Sequence, residues 1–315
     1  MTLEYRMTIA RSDRSDIRAS GWVAAIPEGM RPYVLLSRLD RPIGWWLLLL
    51  PCWWALGLAS PLDWTLLWHG ALFWLGAVEM RGAGCTYNDI VDRDFDAKVE
   101  RTRSRPIPSG AVTPFGAMAW MLALAFVGLA VLLQFNAFTV FLGFGSLAVV
   151  AFYPLAKRVT DWPQFVLGLA FSWGALLGWS AIFGRLDPAA FVLYAASIAW
   201  TVFYDTIYAH QDTRDDAVIG VRSTARLFGA WTKPVLIGFA TLTVALLAAA
   251  LALAGAGPLA YAGLALFAGH LGWQVRTLDA ARPAVCLMLF KSNRYAGWLL
   301  FAGIIADGAL RNGLA

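Results

Sequence analysis

The sequence predicts an all-α, polytopic membrane protein with about nine transmembrane helices. Three observations carry the prediction. Of 315 residues, 59% are hydrophobic and only 14% are charged, against roughly 45–50% and 25% in soluble domains. The mean hydropathy is +0.61. Apolar stretches near the length that a bilayer requires, about 20 residues of helix, recur along most of the chain. Too few charges remain to cover a water-facing surface, so a soluble enzyme, a disordered chain and a nucleic-acid-binding domain all fit poorly. No nucleic-acid partner is expected. The net charge of +5 belongs instead in membrane-flanking loops.

The nine stretches run over roughly 43–61, 64–86, 114–134, 137–155, 164–183, 189–208, 234–253, 258–275 and 295–310. The first is dense in Trp and Leu and holds Cys52. The second is apolar except for Glu79 and Arg81, read as a local helix pair without chemistry. The third is an apolar run, and the fourth contains Gly143-Phe144-Gly145, too short for a dinucleotide-binding fingerprint and better suited to close helix packing. The fifth carries Trp173, and the sixth ends at an acidic cluster. The last three complete the set, and the ninth is short. Ahead of them the first 42 residues are polar, with mixed charge and no apolar core of a signal peptide. Residues 1–32 therefore read as a polar cytoplasmic tail and 33–315 as one transmembrane domain. The three cysteines (Cys52, Cys85, Cys286) show no CxxC spacing and form neither a disulfide framework nor a zinc site.

Charge sets the orientation. With nine spans, the N-terminal tail and the loops after the second, fourth, sixth and eighth share one side. That side holds 22 of the 25 Lys and Arg residues, so it is cytoplasmic by the positive-inside rule.

Two acidic clusters sit on this side. In Asn88-Asp89-Ile90-Val91-Asp92-Arg93-Asp94-Phe95-Asp96, the residues Asn88, Asp92 and Asp96 are spaced i, i+4, i+8. They line one face if the second helix continues. In the cluster that begins at Asp205, the residues Asp205, Asp212 and Asp216 stand at i, i+7, i+11, again one helical face. Neighbouring carboxylates repel, so each cluster needs cations. Several hard oxygens on one side suit Mg²⁺, which keeps positions for water and substrate phosphate. Two such clusters facing one another would hold two Mg²⁺ and a diphosphate. An EF-hand fails at Ala97 and Arg103, which stand where Gly and Glu are needed. A cation transporter would place its charges nearer mid-span.

The sequence here resembles the UbiA superfamily of intramembrane prenyltransferases. Asn88-Asp89-x-x-Asp92-x-x-x-Asp96 looks like its first aspartate-rich motif, and Asp205-x-x-Tyr208-Ala209-x-x-Asp212-x-x-Asp215-Asp216 looks like its second. The Tyr-Ala form is similar to the 4-hydroxybenzoate polyprenyltransferase branch. So are Arg41-Pro42-Ile43-Gly44, the Arg103–Gly110 and Lys157–Gln164 stretches, Gly220–Ala225 and Asn293-Arg294-Tyr295-Ala296-Gly297. The resemblance runs from about 33 to 310.

The resemblance implies helices around a lipid-open central cavity. It also implies Mg²⁺-dependent transfer of a polyprenyl group from its diphosphate to 4-hydroxybenzoate, ortho to the hydroxyl. Asn88, Asp92, Asp96, Asp212 and Asp216 would hold Mg²⁺, with Asp205 a supporting acid. Arg105, Lys157 and Arg222 would clamp phosphate oxygens. Arg41 would meet the benzoate carboxylate or serve as a juxtamembrane anchor. His210 is read as a neighbour, because a hard Mg²⁺ site does not call for imidazole. Trp45, Trp46 and Trp173 are among many aromatics able to face an allylic cation, or simply to pack. Membrane lipid is the surrounding partner, and no obligatory protein partner is inferred. Other aromatic acceptors, or a cation-coupled transporter, are the alternatives.

Overall fold

The computed structural model describes residues 21–98, 102–211, 213 and 222–313, without the side chains at 157, 158, 312 and 313. Every regular element among them is helical. After a short 3₁₀ turn the helices are α1 (Arg31–Leu36), α2 (Ile43–Ala59), α3 (Trp64–Asp96), α4 (Pro114–Leu132), α5 (Ala137–Val159) and α6 (Pro163–Phe171). They continue as α7 (Trp173–Phe183), α8 (Pro188–Ala209), α9 (Thr224–Phe228), α10 (Thr232–Leu253), α11 (Pro258–Thr277) and α12 (Pro283–Gly313). Each predicted apolar stretch falls on helix, and the fifth is divided at Ser172 into α6 and α7.

Among the described residues, five helical segments are long and apolar enough to cross a membrane: Pro114–Leu132, Ala137–Ala156, Pro163–Phe183, Pro188–Ala209 and Thr224–Leu253. The apolar α2 is shorter, at 17 residues. The chain is a membrane protein on this evidence. The helices α3 and α12 run to 33 and 31 residues, about 50 Å at 1.5 Å per residue. Each therefore outlasts its apolar part and carries polar groups at one end.

Contacts sort the chain into two compact units, one of Met1–Gly44 and Val78–Ala130, the other of Trp45–Ala77 and Val131–Ala315. In the first, Leu36, Ile107, Val112 and Ala117 form a core, with Tyr33, Ile90 and Trp120 packed on it. Trp120 donates its indole N–H to Ser37 Oγ at 2.7 Å. This fastens α1 to α4.

In the second unit, α10 packs on α8 and α11 packs on α12. Gly263 and Gly303 let the latter pair meet backbone to backbone. A Cβ at Gly303 would lie 2.6 Å from the Gly263 Cα and 2.8 Å from the Leu259 carbonyl oxygen. Close approach through small residues is how helices associate when lipid removes the hydrophobic drive. A polar network ties α12 to α8 and α11. Trp200 Nε1 donates to Asn293 Oδ1 at 3.0 Å, and the Asn293 and Gln274 amides exchange bonds at 3.0 and 3.1 Å. All three side chains are fully buried, so Asn293 of the stretch noted in the sequence serves to join helices.

The start of α11 is capped from another helix. Its N-cap residue, Gly257, has no side chain to offer, and the buried Asp307 of α12 accepts from the Gly257 amide at 2.7 Å and the Leu259 amide at 3.3 Å. Arg311 neutralises the carboxylate at 3.1 Å. Asp307→Ala leaves those amides without their acceptor, a cost of about 1–3 kcal/mol. A lowered thermal midpoint in detergent is expected, and an unchanged one would count against the cap.

Candidate active site

Helix α3 runs unbroken to Asp96, so the first acidic motif is helical throughout. At about 100° per residue, Asn88, Asp92, Asp96 and also Asp89 fall within roughly a 100° arc. Asp89 and Asp92 are each 1% exposed and Asp96 is 8% exposed. Asn88 is half-buried, while Asp94 and Phe95 face outward. One side of the helix end is thus an acidic, buried strip.

The following loop folds back on that strip. Thr102 Oγ1 donates to the Asp96 carbonyl at 2.9 Å, at the helix end where carbonyls lack intrahelical partners. Tight turns follow, with the Ser109 amide on the Arg105 carbonyl at 3.0 Å and the Val112 amide on that of Pro106 at 2.9 Å. Gly110 closes them at φ 79°, a backbone angle that glycine adopts without strain. The result is to aim Arg105 at the acids. Its Nη1 lies 2.8 Å from Asp96 Oδ2 and 3.1 Å from Asp89 Oδ1. Burial pushes the Asp96 carboxyl above the ordinary range, against the opposing pull of Arg105.

Asp89 has a second cation. Arg38 Nη2 reaches both Asp89 oxygens at 2.9 Å. Arg38 stands at φ 56°, in the left-handed region that costs a non-glycine residue roughly 1–3 kcal/mol. The sequence reading gave neither residue a role at the site. Asp89 is a position of the first motif, and its place on the same helical arc was the available signal. Arg38 reads as one more basic residue of the tail, since nothing local in sequence announces a left-handed arginine.

The second motif is carried differently. Helix α8 ends at Ala209, and the His210 and Gln211 amides turn back to the carbonyls of Ile207 and Tyr208 at 3.3 and 3.1 Å. This tightening is typical of a helix terminus. Helix α8 itself thus ends before Asp212. Only Asp205 lies on α8, half-buried; Asp212 and Asp216 lie outside the described residues. His210 is 8% exposed, and burial lowers its imidazole pKa.

Of the basic residues, Arg41 sits beside Asp40 at 3.1 Å. Arg222 is exposed, with Asp161 3.8 Å away. The side chain of Lys157 lies outside the described residues. The stretch after Arg222 is anchored to α8 and α6. Thr224 Oγ1 pairs with Thr206 Oγ1 at 2.6 Å, and the Thr224 amide donates to Gln164 Oε1 at 2.9 Å.

The first motif fits a hard divalent cation by donor chemistry. Asp92 and Asp96 are carboxylates one turn apart, with the Asn88 amide oxygen one turn earlier on the same face. Among the described residues no three His, Cys, Asp or Glu side chains converge as a ready cage. A Mg²⁺ ion held here would draw the rest of its shell from water and phosphate, as it commonly does.

Comparison with known proteins agrees with the fold. The model of the UbiA prenyltransferase family matches residues 48–301. The mitochondrial 4-hydroxybenzoate polyprenyltransferase of Rattus norvegicus is 48% identical over 294 residues, covering 92% of this chain and 78% of the rat protein. Among solved structures, the apo UbiA homolog from Aeropyrum pernix K1 superposes with a TM-score of 0.71 at 26% identity, over 86% of this chain and 98% of that one. The Archaeoglobus fulgidus homolog bound to GPP and Mg²⁺ shares the fold at a TM-score of 0.64 and 20% identity, over 88% and 99% of the two chains. With the family match extending over most of its length and an acidic helix end of the expected form, this chain belongs to the UbiA prenyltransferase family.

Proposed function

We propose that this protein transfers a polyprenyl group from its diphosphate to the ring of 4-hydroxybenzoate in ubiquinone biosynthesis. The allylic C–O bond breaks, the ring carbon ortho to the hydroxyl bonds to the prenyl carbon, the ring proton leaves and diphosphate is released. The observation that carries this reading is the buried acidic strip at the end of α3, in a chain 48% identical to a 4-hydroxybenzoate polyprenyltransferase over most of its length.

Asn88, Asp92 and Asp96 are the proposed ligands of Mg²⁺ from the first motif, and Asp212 and Asp216 those from the second, with Asp205 in support. Bound there, Mg²⁺ neutralises the charge that develops on the departing diphosphate. Arg105, Lys157 and Arg222 are the proposed phosphate contacts. The distances give Arg105 a second task, because it holds Asp96 and Asp89. Arg41 is proposed to meet the carboxylate of the acceptor.

All nine apolar stretches are proposed to span the membrane, as one transmembrane domain over 33–315 preceded by a polar tail at 1–32. The N-terminus and the acidic helix ends then face the cytoplasm of a bacterium, or the matrix where the membrane is mitochondrial. What supports this is the concentration of Lys and Arg on one set of loops.

Purified protein supplied with Mg²⁺, a polyprenyl diphosphate and 4-hydroxybenzoate is expected to yield the prenylated acid, identified by mass spectrometry. EDTA is expected to stop the reaction and excess Mg²⁺ to restore it. A panel including dihydroxynaphthoate and homogentisate tests the acceptor, and preference for either of those over 4-hydroxybenzoate would overturn the assignment.

A further inference from the structure

The described chain holds six residues at φ values between 48° and 79°. Five are glycines and the sixth is Arg38. The turn after α10 shows what glycine does in such a place. There the Gly255 amide donates to the Ala252 carbonyl at 3.0 Å and the Ala256 amide to that of Leu251 at 2.9 Å, with Gly255 at φ 67°. The turn after α1 repeats the pattern. The Arg38 amide donates to the Leu35 carbonyl at 3.1 Å and the Leu39 amide to that of Val34 at 3.2 Å. This is the Schellman ending of a helix, in which the left-handed residue is usually glycine. The backbone bonds of the turn need no side chain, so arginine there is explained by what its guanidinium reaches.

It reaches two places. Nη1 donates to the Leu35 carbonyl at 2.8 Å, which holds the guanidinium against its own helix end. Nη2 donates to both oxygens of Asp89 at 2.9 Å. The Asp89 side chain is 1% exposed and that of Arg38 is 12% exposed, so water does little to screen the pair. Asp89 Oδ1 also accepts from Arg105 Nη1, the same nitrogen that holds Asp96 Oδ2. The chain of contact runs Arg38, Asp89, Arg105, Asp96.

We propose that Arg38 is a positioning residue for prenyl transfer, acting through Asp89 and Arg105 to set the orientation of Asp96. This rests on the reading above, in which Asp92 and Asp96 serve a metal-bound diphosphate. With Arg38 in place, Asp89 is held by two cations, and Arg105 is shared between Asp89 and Asp96. Without Arg38, Arg105 must compensate Asp89 alone, and its hold on Asp96 weakens. Partners that orient metal-ligating carboxylates act in this way, and their loss costs about 10–100-fold in metal affinity or activity.

The test uses the full chain in detergent or nanodiscs with three proteins: wild type, Arg38→Gly and Arg38→Lys. Glycine suits the left-handed turn and removes the side chain without straining the backbone, so its melting midpoint should stay close to that of wild type. Binding of geranyl S-thiolodiphosphate, an unreactive donor analogue, is measured by calorimetry as a function of Mg²⁺. Arg38→Gly is expected to need about 10–100-fold more Mg²⁺ for half-maximal binding, to lose kcat rather than gain KM for 4-hydroxybenzoate, and to recover in part with added methylguanidinium. Arg38→Lys keeps the charge without the planar fork and is expected to stay impaired. Wild-type Mg²⁺ dependence in Arg38→Gly overturns the proposal. So does a loss of binding matched by a fall in melting midpoint and indifferent to methylguanidinium, which marks a merely structural role. Wild-type protein that binds the analogue with Mg²⁺ yet fails to prenylate 4-hydroxybenzoate counts against the acceptor assignment and not against Arg38.

Discussion

Asp92→Ala is expected to lower prenyl transfer by about 10²–10³-fold or more, the scale of losing a charge-stabilising group in an active site. The expectation follows from position. Asp92 is 1% exposed and lies between Asn88 and Asp96 on a helix that stays intact through all three. A rigid helix keeps a ligand's geometry better than a loop does, so the loss has no cheap repair by backbone movement. Asp92→Asn is the sharper variant, since it keeps the shape and removes the charge. Both proteins should insert and melt near wild type, while their Mg²⁺ response collapses. Steady-state turnover with saturating donor and acceptor reads the effect, and full activity in either variant would remove the first motif from the metal site.

The second large effect is on stability. Gly303→Val places a branched side chain where even a Cβ would lie 2.6 Å from the Gly263 Cα. The nearest atoms are backbone, which cannot swing aside as a flexible side chain can. Helices α11 and α12 must separate, and with them the Asp307 cap and the Asn293 network lose register. Overpacking costs typically 1–3 kcal/mol, and the secondary losses add to it, so roughly 3 kcal/mol or more is expected. Thermal aggregation in detergent measures it. A Gly303→Ala variant should fall between, and a Gly303→Val protein as stable as wild type would show that the two helices do not meet at this level.

Helix positions were legible because an apolar run of bilayer length has one low-energy conformation in lipid. Backbone N–H and C=O groups find no water there and must bond within the helix. All nine stretches accordingly fall on helix in the fold. The acidic spacing was legible for a related reason. Side chains at i, i+4 and i+8 share a face of any continuous helix, so Asn88, Asp92 and Asp96 line up once α3 is known to reach Asp96. At the second motif the same argument reaches only Asp205, because α8 ends at Ala209. Periodicity states which residues would share a face, and only the backbone bonds after Ala209 state where the helix stops.

Composition and spacing alone established the membrane class, the helical content and the acidic face of α3, since each depends on local chemistry repeated along the chain. Folding was needed to bring Arg38 and Arg105 onto Asp89 from 51 and 16 residues away, and to press Gly263 against Gly303. Such pairings follow no sequence period. They are settled by which side chains a buried charge or a crowded backbone finds beside it once the helices have packed.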